Sequence, residues 1–114
     1  MNKVLLLGRI ANDLELKEYN KFKYVNYSIA VENKTKDKKE THFIKCCAYG
    51  KTAESICKYL KKGEKTFVEG RIKPEEYTDS KGIKHYSYRV NITHVSFIDN
   101  HKNKDNEEIP YPYN

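Results

Sequence analysis

The sequence predicts an all-β domain: a five-stranded Greek-key barrel with one α-helix between the third and fourth strands, plus a short disordered C-terminal tail. Three observations predict it. Several segments alternate apolar with polar residues, the signature of a strand with one buried face. A single segment, after Gly50, switches to helical spacing. From Asp99 onward apolar residues nearly vanish until Ile109.

"VLLLGRI", Val4 to Ile10, reads as a buried strand with a glycine inside it, where glycine permits a bend or a close backbone approach. "NDLELKEYNKFK", Asn12 to Lys23, is polar with scattered apolar residues and reads as a loop or a strand continuation. "YVNYSIAV", Tyr24 to Val31, alternates Val25, Tyr27, Ile29 and Val31 against Tyr24, Asn26, Ser28 and Ala30. Because Tyr24 and Tyr27 point to opposite faces, at most one of them belongs to the core. "ENKTKDKKE" reads as a charged loop, and Thr41 to Tyr49 as the third strand.

Past Gly50, Ala53, Ile56, Cys57 and Leu60 fall at i, i+3, i+4 and i+7, one stripe of a helix. Lys61 and Lys62 fit a last helical turn, where positive charge complements the dipole, and Gly63 fits the stop. Tyr59, beside the stripe, reads as a packing residue. "KTFVEGRIK" reads as the fourth strand, ended by Pro74. "EEYTDSKGIKHYSYRVNI" reads as a hairpin turning at Asp79-Ser80-Lys81-Gly82, with its return strand running through Val95 and Phe97. Three strands, a helix and two strands match a barrel of the oligonucleotide/oligosaccharide-binding kind, the OB-fold.

A chain of 114 residues has room for one domain. Residues 1–99 are assigned to the barrel and 100–114 to a flexible acidic tail. Charge divides the same way. Residues 1–98 hold 20 Lys/Arg and 12 Asp/Glu (+8), whereas residues 99–114 hold 2 and 4 (−2). A basic body suits a polyanion ligand, and ordinary solubility charge explains it equally well. "MNKVLLLGRI" lacks the features of a secretory signal, and no segment approaches the roughly 20 apolar residues of a membrane span. Three cysteines, two of them adjacent and so on opposite strand faces, make a poor disulfide framework and point to a reducing cytoplasm.

The third strand carries the chemistry. Alternation sets Phe43, Lys45, Cys47 and Tyr49 on one face, and His42, Ile44, Cys46 and Ala48 on the other. Strand aromatics usually pack inward, but lysine is seldom buried, and Lys45 shares the aromatic face. The face therefore reads as exposed. Rings there can stack unpaired bases whatever their identity, and lysine can meet phosphate. Lys3, Arg9, Lys51, Arg71, Lys73, Lys84 and Arg89 lie on or beside strands and can form a basic track. Tyr77 precedes the hairpin turn, which favours exposure. Tyr88 shares a face with Val90 and Ile92 and reads as packed, while Tyr86 is left open between packing and binding. The lysines of the charged loop, Lys34, Lys36, Lys38 and Lys39, fold over a ligand or are simply solvated.

"MNKVLLLGRIANDLEL", "YGKTAESICKYLKKGEKTFVEGRI" and "EYTDSKGIKHYSYRV" resemble the opening, the helix with fourth strand, and the long hairpin of bacterial single-stranded DNA-binding proteins. The resemblance runs in consistent order from Met1 to about Asp99. It implies an OB-fold, a homotetramer, and sequence-tolerant binding of single-stranded DNA in replication, recombination and repair. By that resemblance Phe43 falls where members commonly stack a tryptophan, Tyr49 on a stacking phenylalanine, Tyr77 on the hairpin aromatic and Lys45 on a basic strand position. One position departs: Lys34 and Thr35 stand where many members carry another stacking aromatic. The tail resembles the family's acidic, partner-recruiting tip through Asp105, Glu107, Glu108, Ile109, Pro110 and Tyr111. Pro112, Tyr113 and Asn114 extend past its usual end, and Tyr replaces the terminal Phe.

No cofactor, metal or catalytic role is expected. There is no C-x-x-C pair, and His42 and Cys46 are poorly spaced for one metal. Asp13, Glu15 and Glu18 lack a companion base or arginine clamp. The other readings of such a barrel are a primosomal or plasmid accessory protein and a protein-interaction adaptor.

Overall fold

The structure is a computed structural model and describes residues 1–98. Six strands and one helix follow in the order β1 (Val4–Ile10), β2 (Lys17–Tyr19), β3 (Phe22–Lys34), β4 (Lys39–Tyr49), α1 (Gly50–Tyr59), β5 (Lys65–Thr78) and β6 (Lys84–Phe97). The sheet order is β1-β5-β6-β4-β3-β2, and an added β1–β3 pairing closes the five long strands into a barrel. All pairings are antiparallel except β4–β6. The expected five-stranded barrel with a helix after its third long strand is what the chain forms. β2 is a short addition on the outer edge of β3.

Closure depends on the glycine in β1. Arg9 pairs with Ala30 and Ile10 with Ile29. A Cβ at Gly8 would stand 2.3 Å from the Ala30 carbonyl oxygen, so a larger residue there would push the two strands apart. The inward alternation of β3, Val25, Tyr27 and Ile29, meets Cys46 and Ala48 of β4 and Val68, Val90 and Ile92 of the far wall. α1 closes this core, burying Ala53, Ile56 and the following Leu60 against β3, β4 and β6. Tyr59, partly exposed, sets its ring 5.4 Å from that of Phe97. Burial pushes the Cys46 thiol up to about 12, so it stays protonated and acts as a packing group.

Several expectations are corrected. Pro74 does not end the strand: β5 runs on to Thr78, with Pro74 opposite Tyr88. β1 reaches only the Gly70 register, so beyond it β5 is an edge, where a missing N–H is tolerated. The Asn12–Lys23 segment is not only loop, because Lys17–Tyr19 pairs back onto β3 through a two-residue turn at Asn20 and Lys21, both at positive φ. The charged loop shrinks to a turn closed by Thr35 N–H donating to the Lys38 carbonyl at 2.8 Å, since Lys34 pairs with Lys39. α1 ends at Tyr59, which leaves Lys61 and Lys62 outside it. The Glu64 carboxylate accepts the Lys61 N–H at 2.9 Å and turns the chain there. Among the described residues no helix is long and apolar enough to cross a membrane.

Candidate nucleic-acid interface

On the outer face of β4 the rings are open. Phe43 is 66% exposed and Tyr49 49%, with exposed Lys45 between them. The core is filled by the opposite alternation. Ala30 lies opposite Phe43 and Ser28 opposite Lys45, so nothing large on β3 stands against Phe43, whereas Tyr49 has another ring, Tyr24, opposite it. Cys47 shares this face but is buried, contrary to the expectation of an open face throughout. A hydrogen bond with the Cys47 side chain, followed by partial burial, holds the Tyr49 phenol above its ordinary pKa.

Register carries basic side chains onto the same face. Arg9 pairs with Ala30 and Ala30 with Phe43, so the three form one row across β1, β3 and β4. Cys47 pairs with Asn91 and Asn91 with Arg71, and the next row brings Lys73 opposite Arg89. Tyr77 continues the Arg71–Lys73 alternation out along the hairpin and stacks on His85, with ring centroids 4.8 Å apart and 14° between planes. Asp79 holds that arrangement, with its carboxylate 2.8 Å from the His85 ring while it accepts the Lys81 and Ile83 N–H groups. The His85 contact, then the Ile83 N–H, lowers the Asp79 pKa.

Other expected residues stand elsewhere. Lys3 pairs with Glu69 at 2.9 Å on the β1–β5 side. Lys84 pairs with Glu76 at 3.7 Å and shares with Tyr86 the opposite face of the hairpin from Tyr77. Lys51 is exposed in the first turn of α1. Tyr88, expected to pack, is 67% exposed, because its part of the hairpin projects beyond the β1 and β4 pairings. The tail residues Glu107, Glu108, Ile109, Pro110 and Tyr111 lie outside the described residues.

A cleft of about 690 Å³ was not anticipated. Its walls include Tyr19, Phe22, Tyr24, Tyr49, Glu75 and Arg89. Tyr24 lies directly opposite Tyr49, and Tyr19 opposite Phe22. The Arg89 Nε–H donates to Glu75 at 2.7 Å, and its Nη1 reaches the Cys46 carbonyl at 3.4 Å. That guanidinium lowers the Glu75 pKa. The sequence signal was the asparagine at a two-residue turn between aromatics, "EYNKFKY", weaker than the Asn-Gly that marks a hairpin most clearly. Among the described residues no group of three or more His, Cys, Asp or Glu is placed to hold a metal.

Rings open on one side and cations in adjoining rows suit a flexible polyanion with flat faces. Comparison with known proteins points the same way. The model of the single-strand binding protein family matches residues 1–98. The chain is 36% identical over 104 residues to the single-stranded DNA-binding protein of Onion yellows phytoplasma (strain OY-M), covering 88% of this chain and 96% of that one. It is 37% identical over 101 residues to the single-stranded DNA-binding protein of Clostridium perfringens (strain 13 / Type A), covering 87% and 67%. It is 34% identical over 107 residues to single-stranded DNA-binding protein 1 of Clostridium acetobutylicum, covering 90% and 97%. With the barrel in place and a family match across its whole length, the chain belongs to the single-strand binding protein family.

Proposed function

We propose that this protein binds single-stranded DNA without strong sequence preference and protects it during replication, recombination and repair, with no catalytic step. The observation that carries the reading is the open aromatic row of β4, with Phe43 and Tyr49 exposed on the face of exposed Lys45 and only Cys47 covered. Bases stack on Phe43, Tyr49 and Tyr77, each stack contributing roughly 1–3 kcal/mol. Lys45, Arg9, Arg71 and Lys73 meet the phosphates. Lys3, Lys51, Lys84 and Tyr86 serve at the margins, on strand wrapped past the main face.

The working form is a homotetramer in the cytoplasm. Leu5 and Leu7, both more than half exposed on the outer face of β1, support assembly, since apolar side chains bared on a regular strand suit a partner subunit. Residues 100–114 act as a flexible acidic tail that recruits replication and repair proteins through Glu107, Glu108, Ile109, Pro110 and Tyr111.

The test is tyrosine fluorescence during titration with poly-dT at several salt concentrations, paired with light scattering. Quenching that weakens as salt rises, with a mass of four chains, is expected. An absence of quenching, or binding indifferent to salt, refutes the reading in favour of a protein-interaction adaptor.

A further inference from the structure

The β2–β3 hairpin holds two rings with no packing role. Tyr19 is 70% exposed and Phe22 73%, yet they face each other across a ladder and are fixed by a turn whose two residues both take positive φ. The three-residue β2 contributes little to the core, and bare rings at its end and at the start of β3 cost solvation that burial would recover. Their side of the sheet is the side of Tyr49: Phe22 stands two residues before Tyr24 on the same face, and Tyr24 is the direct partner of Tyr49. The aromatic row of β4 therefore continues without a break across Tyr24 to Phe22 and Tyr19. Same-face side chains on β3 stand roughly 6.6 Å apart, so Phe22, paired with Tyr19, forms a platform separate from Tyr24. Arg89 and Glu75 form the polar wall of the same cleft, whose volume of about 690 Å³ lies in the usual range of ligand-sized clefts.

Building on the single-stranded DNA reading, we infer that Tyr19 and Phe22 form an additional nucleobase-stacking subsite, lengthening the DNA path beyond Tyr49 toward the β2–β3 turn. It supplies a platform to a chain that has Lys34 and Thr35 where its resemblance would place an aromatic. Neither ring is charged, so the subsite adds affinity and footprint without adding ionic contacts.

The protein lacks tryptophan, so Phe22→Trp introduces a unique reporter. Poly-dT should quench and shift that emission, at the stoichiometry read from DNA anisotropy. The double variant Tyr19→Ala/Phe22→Ala should bind poly-dT roughly tenfold to a hundredfold more weakly, with fewer nucleotides covered per chain. Its slope of log affinity against log salt should stay that of the parent, and its thermal unfolding should match the parent's. If the parent binds and the double variant binds equally well, or the Phe22→Trp emission ignores bound DNA, the subsite is refuted while the DNA-binding reading stands. If the reporter responds to protein concentration without DNA, the rings meet a second copy and the subsite is refuted. If the parent itself does not bind poly-dT, both readings fall together.

Discussion

Arg89 is tied to Glu75 by a 2.7 Å hydrogen bond within the wall of the aromatic cleft, so this cation already has an internal anion. Replacing Glu75 with Gln removes the competing charge. Binding of poly-dT should tighten at low salt, and the log–log salt slope should steepen by about 0.7, one extra phosphate contact on a single strand. An unchanged slope would place Arg89 off the DNA path. The pair also fixes a pH response. The Glu75 pKa is depressed by Arg89, so the pair's contribution is intact above the ordinary carboxylate range and is lost as pH falls through the depressed value. From this group, affinity should stay level between pH 7 and about pH 5.

Phe43→Ala and Tyr49→Ala should each weaken poly-dT binding by roughly 1–3 kcal/mol. Both rings lie outside the core cluster, so thermal unfolding should change little. Titration and calorimetry on the same samples separate the two effects. Unfolding comparable to the binding loss would assign the rings to packing.

Gly8→Ala should destabilise the barrel by about 1–3 kcal/mol, as overpacked sites do. The added methyl would stand 2.3 Å from the Ala30 carbonyl oxygen and 2.8 Å from the Ile29 Cγ2. Both lie on the strand that closes against β1. Urea unfolding measures the loss, and a midpoint equal to the parent's would mean that the seam yields freely.

Tyr27→Phe should leave stability unchanged or raise it by about 1 kcal/mol. The Tyr27 side chain is buried in the core, and its hydroxyl has no hydrogen-bond partner among the described residues. Burial, with smaller effects from Cys46, Cys47 and Cys57, raises its pKa, so the phenol stays neutral. Removing an unsatisfied oxygen relieves a desolvation cost. A clear loss of stability in thermal melts would reveal a partner for that hydroxyl.

Much of this was legible in the chain. Strands with one buried face declared themselves by alternation, and the stripe through Ala53, Ile56 and Leu60 declared the helix. Lys45 on the face of Phe43 and Tyr49 correctly signalled that this side of β4 is exposed. What escaped was set by neighbours rather than by local pattern. Pro74 is tolerated because β1 stops short of it, which no window around Pro74 contains. Tyr88 alternates like a core residue but lies beyond the core, because alternation gives a face and not a distance along the barrel. Cys47 is covered although Lys45 and Tyr49, its neighbours on the same face, are bare. Tyr19 and Phe22 form a platform only after a two-residue turn folds them together, and Asn-Lys is a quiet marker of such a turn.

Beyond Ile72, whose N–H and carbonyl are still held by the Asn2 side chain, β5 and β6 travel with no third strand on either side among the described residues. From there to Thr78 the projection is about 20 Å. It is a cantilever stiffened mainly by its own ladder and by the Asp79 clasp at its tip. A load applied at Tyr77 acts on that two-stranded end, whereas Arg71 lies where the ladder rejoins the barrel.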